Sequence, residues 1–504
     1  MQASPKVPNK TLPELDVQST RGICLLKFNR QLIQERLPGW EIEKFMDWAL
    51  RQRHDLERPP GESQQKVRAD LLKVGAPAYQ INALMEGCVT MPCLKTGNLL
   101  QSRHGVPYRG SVGYRFASID ETYILLAGGY SRGFSLIAVW LVKSKVIISL
   151  PASSGNVEKR ALTALGGFSA AIKKFPDDYI KYVGSGNRNS PAVHVHTPLF
   201  PHHIWNELPG LEVVASAKNH LSDIPLVVVA EPVAPIRKLF PEIAARVVQV
   251  RERRVLNYLL SNSVFPVRIG SRTIPKSLVD RISRYSAANM SQDTRDVVRR
   301  LAESAVPVLC VTIRVHNRRW ISEEFGLLSL LTALRKNGLT FSIVVLGFSI
   351  QHGESSESLE AAGNIIKIEA ERARRITEGH PKDLVHHVIG APLIDSFVIA
   401  QHCHYYIANH GTIQHRLGWF SNAAGLVHAN RVTIESGKGS FATAAARECG
   451  PPVKYVDASA VRDLRGKTVA SEQRGNLCDY DFDWRIMLDD VEKGLAAGTK
   501  RRSM

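Results

Sequence analysis

The chain has 504 residues, a formal net charge of +18 and 44% hydrophobic residues, an ordinary globular balance long enough for two or three separate cores. Its seven cysteines (Cys24, Cys88, Cys93, Cys310, Cys403, Cys449 and Cys478) are odd in number and form no CxxC pair, which argues against a disulfide scaffold or zinc ribbon and fits a reducing cytoplasm. The first forty residues have no clean apolar core, so no secretory signal is read, and the longest unbroken apolar part, residues 134–142, is far short of the ~20 residues that cross a bilayer.

Residues 1–100 read as a polar, helical and loop-rich extension. Apolar spacing predicts a helix over 40–51, broken by Pro59-Pro60-Gly61. From 106 to 150 the pattern changes to strands (YRFASI, TYILLA, FSLIAVWLV, KVIISL), with turns at Gly128-Gly129 and Ser131-Arg132-Gly133. A helix over 158–174 follows. Strand and helix then alternate: a strand at 192–196, a helix starting near Pro201, a strand at 226–230, a helix over 239–250 and a strand at 264–269. Residues 276–303 are charged and helical, and connect to a second series. That series has strands at 307–313, 341–346, 385–389, 405–408 and 425–428. Its helices cover 323–337, capped by Gly338, then 356–377 and 412–420. Such alternation predicts an α/β fold with parallel sheets covered on both faces. The expected domains are 1–100, an acceptor-side α/β domain at 101–285, and a Rossmann-like domain with a final helix at 286–504.

In doubly wound sheets, ligands bind beyond the carboxyl ends of the strands. Two loops of the second series fall there. After the strand at 307–313 come Arg314, Arg318 and Arg319, whose guanidinium forks match phosphate oxygens. The bland alternative is a basic loop paired to Glu323 and Glu324. After the strand at 405–408 come Asn409, His410, Gly411, Thr412, Gln414 and His415, where a strand ends, a glycine allows close approach and a helix begins. Backbone N–H groups and the helix dipole favour an anion at such a corner, and Thr412 can cap the helix or bind phosphate. An ordinary strand–turn–helix corner is the competing reading.

In the first series, His203 and Glu207 stand four apart on one helix face, and either can take a proton from a hydroxyl acceptor. Trp205 and Asn206 between them suit sugar recognition, a ring to stack on and an amide for hydroxyls. A partly buried helix start explains the same residues. His194, His196, His202 and His203, with His402-Cys403-His404, raise a metal reading, but no third-ligand spacing accompanies them and no metal is expected. Asp479, Asp481 and Asp483 form DxD patterns read as an acidic loop at a helix start.

The positive charge lies in RERR at 251–254, Arg299-Arg300, Arg372 with Arg374-Arg375, and the basic tail at 500–502. Each cluster alone reads as a solvated face. Together they suit a phosphate-bearing substrate, an anionic membrane surface or nucleic acid. The basic residues are not interleaved with aromatics and no nucleic-acid motif is visible, so no specific nucleic-acid partner is expected.

In order and spacing these motifs resemble glycosyltransferase family 61. A His-x-x-x-Glu-Leu-Pro-x-Leu motif matches His203, Glu207, Leu208, Pro209 and Leu211. A strand followed by Arg, a second Arg and an acidic-led helix matches Arg314, Arg318 and Glu323-Glu324. A late His-Gly-Thr turn matches His410-Gly411-Thr412, although Thr412-Ile413-Gln414-His415 departs from the family's usual continuation. The resemblance spans about residues 200–430. It implies a GT-B fold, two Rossmann-like domains facing a cleft, and metal-independent sugar transfer with inversion from a nucleotide-sugar donor. The acceptor would be a hydroxyl of a glycan, a lipid-linked glycan or a protein. It places Arg314, Arg318 and the 410–412 turn on the donor diphosphate, His203 or Glu207 opposite as base, and a final helix after Trp484 crossing back to the first domain. A carbohydrate-binding protein that kept the fold and lost catalysis is one alternative, and a basic nucleic-acid-binding protein is the other.

Overall fold

The computed structural model describes residues 12–15, 23–52, 62–108, 110–129, 134–150, 156–186, 189–217, 221, 223–316, 318–436, 446–451, 453–464 and 478–502. The chain separates into two compact units, residues 1–231 with 236–272, and residues 232–235 with 273–504. The expected turn at 131–133 lies outside the described residues.

Among the described residues, the first unit holds two larger sheets and a two-stranded hairpin. Its six-stranded sheet runs in the order Cys24–Leu26, Val146–Ser149, Leu136–Leu141, Thr122–Ala127, Ser111–Ala117, Gly105–Tyr108. The last five strands form the antiparallel meander expected from the apolar runs. Helix Val157–Lys174 covers it, burying Ala161, Ala164, Leu165, Phe168 and Ile172 at period 3–4 against Ile124, Leu126 and Trp140. The strand Cys24–Leu26 adds in parallel beside Val146–Ser149, so the stretch read as helix and loop also contributes to this sheet. Short helices Arg30–Arg36, Ile42–Arg51, Glu62–Lys73 and Ala78–Glu86 and a hairpin of Val89–Pro92 with Leu99–Ser102 complete it.

The unit's second sheet is parallel, in the order Val247–Gln249, Leu226–Val228, Ser190–Val195, Val264–Val267. Numbered along the chain this is 3-2-1-4. The helix expected over 239–250 is not formed. A short helix Ile236–Leu239 stops before Pro241, a 3₁₀ turn takes Pro241–Arg246, and Val247–Gln249 becomes a strand. Val247 and Val248 are β-branched, and pairing with Leu226 and Val227 outweighs local helix spacing.

The second unit is built on one six-stranded parallel sheet: Val385–Val388, Ser342–Leu346, Val308–Thr312, Tyr405–Asn409, Ala424–His428, Val453–Tyr455. Along the chain this is 3-2-1-4-5-6, the strand order of the dinucleotide-binding doubly wound fold. The α/β expectation with two Rossmann-like sheets is met. Helix Glu323–Lys336 buries Leu327, Leu330, Leu331 and Leu334 on Leu309, Val311 and Ile343. Gly338 ends it with φ +83°, the left-handed cap read from the sequence. In the final helix, Leu488–Arg502, Val491 and Leu495 sit, with Met487 just before it, in the second unit's own core. Asp479–Asp481 is not a helix-start loop but a strand paired antiparallel with Arg462–Leu464, and only Asp483 caps the helical turn Trp484–Met487.

Each parallel order reverses direction between its first and fourth strands. The reversal lies between Ser190–Val195 and Val264–Val267 in the first unit, and between Val308–Thr312 and Tyr405–Asn409 in the second. Crevices beyond the carboxyl ends at such points are where α/β sheets take ligands. Among the described residues no helix is long and apolar enough to cross a membrane, and the cysteines are free.

Candidate functional site

At the second unit's reversal point, Arg314 leaves strand Val308–Thr312 and His410-Gly411 leaves Tyr405–Asn409. Arg314 is 8% exposed. Arg318 takes the left-handed backbone conformation, φ 52°, uncommon for a side chain of its size. That turn aims its guanidinium at the same point as Arg314's. A Cβ on Gly411 would lie 3.4 Å from Arg314 Nη2, 3.4 Å from Arg318 Nη1 and 3.5 Å from Arg318 Nη2. Gly411 itself has φ +118° and ψ −150°, a region open essentially to glycine alone. It is the N-cap of helix Thr412–Phe420, so Thr412 is the first helical residue rather than the cap, and it is exposed. Of the first-turn N–H groups there, that of Gln414 donates to the Gly411 carbonyl at 3.1 Å, and those of Thr412 and Ile413 precede the first i→i−4 bond of the helix.

Two guanidiniums, a helix N-terminus and a bare Cα thus converge. Arg314 Nη1 donates to the His410 carbonyl at 3.4 Å. Neither Arg314 nor Arg318 has a carboxylate within ion-pair distance among the described residues, and Arg318 Nε is buried without a partner. Burial and the neighbouring Arg318 push Arg314 down to about 10, so it stays charged at neutral pH. Burial and the two arginines hold His410 down at about 4, hence neutral, with Nδ1 on the Tyr455 hydroxyl at 3.0 Å. Positive charge is concentrated here with no carboxylate in direct contact with either guanidinium among the described residues, an arrangement that suits an oxyanion.

The floor beneath is built of buried polar struts. Glu323, fully buried, accepts from the Arg314 backbone N–H at 3.2 Å, Arg372 Nη1 at 3.2 Å and Asn409 Nδ2 at 2.8 Å. Asn409 is also tied to Thr312 by two 2.9 Å bonds. Arg416 reaches from the Thr412–Phe420 helix to Gly347 O at 2.8 Å and to the Ser349 hydroxyl. Burial raises the nearby Glu369 carboxyl to about 7. Arg319, expected on the diphosphate, is placed differently: its fork and backbone N–H bind Asp479 at 2.7–3.1 Å. Gln414 Oε1 faces the Gly411 N–H at 3.4 Å, and His415 stacks on Trp419 at 4.3 Å. The pairing considered for the arginine loop goes elsewhere, since Glu323 and Glu324 meet Arg372 and Arg375. Arg372 reads from the sequence as one of the solvated charges, and Arg416 and Glu369 carry no motif; a charged residue five after a glycine corner was the available signal for Arg416.

At the first unit's reversal point stands the other cluster. His203–Glu207 forms a π-helical turn, an i→i+5 winding often found at functional sites. Both side chains are buried. His203 Nδ1 and Glu207 Oε2 are 3.0 Å apart. The same carboxylate accepts from the His196 N–H at 3.1 Å, the Thr197 N–H at 3.0 Å and the Arg268 guanidinium. Burial would raise Glu207, but Arg268 foremost, then His203 and the backbone donors, holds it well below the usual carboxylate range. Such a carboxylate is a poor base and a firm orienter. His203 Nε2 is buried with no partner among the described residues. Trp205 and Asn206 are engaged locally: Trp205 Nε1 donates to Arg272 O at 2.5 Å, and Asn206 bonds Ser271 O at 2.8 Å and His202 Nδ1 at 2.9 Å. Arg268 was missed, although an arginine closing the apolar strand VFPV is an unusual charge at a strand end.

His194 and His196 pack edge to face at 5.3 Å, and burial lowers both. His404 Nδ1 accepts from the Val308 N–H, and Cys403 Sγ donates to Tyr405 O. Among the described residues, no three His, Cys, Asp or Glu side chains group as metal ligands.

No protein-family model and no curated protein matches the chain. Among solved structures it is similar to a glycosyl transferase family 9 protein from Veillonella parvula, with a TM-score of 0.25 and 10% identity over 70% of this chain and 82% of that one. It is also similar to a UDP-GlcNAc 2-epimerase from Methanocaldococcus jannaschii, with a TM-score of 0.23 and 12% identity over 61% of this chain and 74% of that one.

Proposed function

We propose that this protein is a glycosyltransferase that moves a sugar from a nucleotide-sugar donor to a hydroxyl acceptor with inversion, as its resemblance to family 61 implies. The observation that carries the reading is the convergence of Arg314 and Arg318 on Gly411 at a helix N-terminus. That seat suits the donor's diphosphate, with Thr412 at its mouth and His410 and Gln414 on its wall; Asn409, His415 and Arg319 hold the frame. In the reaction the acceptor oxygen bonds to the anomeric carbon as the carbon–oxygen bond to the diphosphate breaks. The electron pair leaves with the nucleoside diphosphate, where the guanidiniums and N–H groups meet the developing charge. The acceptor's proton passes to His203 Nε2, Glu207 accepting from Nδ1–H on the far side, while Trp205 and Asn206 shape the acceptor side of that turn. The acceptor is a glycan, a lipid-linked glycan or a protein hydroxyl, and an anionic membrane surface suits the +18 charge.

The complete burial of His203 favours one second reading, a carbohydrate-binding protein without catalysis. Calorimetry and thermal shift with UDP-, GDP- and CMP-sugars, followed by mass spectrometry of products, test both. Stabilisation by a nucleotide sugar with transfer lost in His203→Ala supports the transferase. Stabilisation without turnover supports the second reading, and no nucleotide binding at all refutes the donor seat.

A further inference from the structure

Arg268 follows directly on the strand Val264–Val267, beside the strand Ser190–Val195 that leads to His196 and Thr197. It is 1% exposed. Its Nη2 reaches Glu207 Oε1 and, at 3.3 Å, the Thr197 hydroxyl. Its Cζ lies 4.3 Å from the centroid of the Phe134 ring, a contact that favours keeping the cation there. Nε and Nη1 have no partner among the described residues. A buried ion pair of this kind adds little stability compared with apolar residues of the same volume, so its presence calls for another account.

We infer that Arg268 is a positioning residue that fixes the tautomer of His203 through Glu207. This rests on the reading of His203 as the base. The chain of cause is electrostatic. Glu207 is enclosed, and burial alone favours its neutral form; Arg268 is the largest influence holding it ionised. An ionised Glu207 can only accept, so His203 must carry its proton on Nδ1, leaving the Nε2 lone pair to receive a proton. Without the guanidinium the carboxyl takes up a proton. Its new O–H then donates to Nδ1, the imidazole proton moves to Nε2, and the nitrogen that should accept becomes a donor. His194 and His196, lowered by burial and by Arg268, and His202, lowered by burial, are the other titratable rings that feel this carboxylate, with the exposed Glu252 3.5 Å from His196 Nε2.

The test uses the full chain labelled with ¹⁵N-histidine, read by two-bond proton–nitrogen correlation, which separates the two neutral tautomers. The His203 signals are assigned from their loss in His203→Gln. Expected are Nδ1–H in the wild type and in Arg268→Lys, and Nε2–H in Arg268→Met. Glu207→Gln, a neutral isostere whose amide donates, gives the same change as Arg268→Met and serves if that variant does not fold. Where transfer is measurable, Arg268→Met lowers kcat by about 10²–10⁴-fold with KM nearly constant, and Arg268→Lys recovers most of it. A folded Arg268→Met, or a folded Glu207→Gln, that keeps the wild-type tautomer overturns the inference. A switched tautomer in a protein that transfers no sugar upholds the role of Arg268 and sinks the transferase reading alone.

Discussion

Replacing Gly411 by alanine tests the donor seat at its narrowest point. Alanine must either adopt φ +118° and ψ −150°, which costs about 1–3 kcal/mol, or turn the corner differently. For a unit of this size that cost lowers the melting temperature by roughly 2–10 °C. The binding effect is larger. The new methyl would stand 3.4 Å from nitrogens of both guanidiniums, in the space where an oxyanion's oxygens must lie. Losing two charge-assisted hydrogen bonds, each worth about 1.5–3 kcal/mol, weakens binding by about 10²–10⁴-fold. Calorimetric titration of wild type and Gly411→Ala with UDP and GDP, beside melting curves of each, reads both effects. A variant that melts within about a degree of wild type and binds within threefold would show that the corner is an ordinary turn.

The three arginines should separate. Arg314→Ala and Arg318→Ala each weaken nucleotide binding by roughly 10–100-fold, whereas Arg319→Ala weakens it least and couples in a double-mutant cycle with Asp479→Asn, because its fork is held by Asp479; equal losses in all three would refute this. Glu369, raised to about 7 from an ordinary 4.5 mainly by burial, binds its proton more tightly folded than unfolded. Stability therefore falls as pH rises from about 4.5 to 7, by up to about 3 kcal/mol. Denaturant titrations of Glu369→Gln should lose that slope, and an unchanged slope contradicts the assignment. His410, lowered to about 4, and His428, lowered to about 3, act in the opposite sense. Each contributes stability that is present above pH 6.5 and lost as pH falls toward the folded value, so His410→Asn should flatten part of the acid limb of the same curve.

What the sequence disclosed follows from how each element is stabilised. The strands PVLCVTI, FSIVVL and YYIAN are largely apolar because the sheet is covered on both faces, so they stand out without alternation. The corner at His410-Gly411 was legible because its chemistry is local. Residues 247–249 were not, since a half-buried edge strand is decided by its partner rather than by its own spacing. The same holds in the sites. That Arg318 turns toward Gly411 while Arg319 turns to Asp479 depends on a strand 160 residues further on. Arg268 carried no motif, and only the meeting of its strand with the His203–Glu207 turn gives it a partner. The π-helical winding was likewise invisible, because regular helical spacing already placed His203 and Glu207 together.

The short strand Asp479–Asp481 has a consequence for biogenesis. It laces the arginine loop from below: Tyr480 N–H bonds Arg319 O at 2.9 Å, Tyr480 OH bonds His428 at 2.8 Å, and Asp481 binds the Ser322 hydroxyl at 2.5 Å. Phe482 stacks on Trp320 at 4.2 Å. All six strands of the sheet precede this segment in the chain, yet the loop that carries Arg318 and Arg319 lacks its fastening until Asp479–Asp481 emerges. A chain cut after Leu464 therefore keeps all six strands of the sheet but loses the Arg319–Asp479 fork and the Tyr480–His428 bond that fasten the loop.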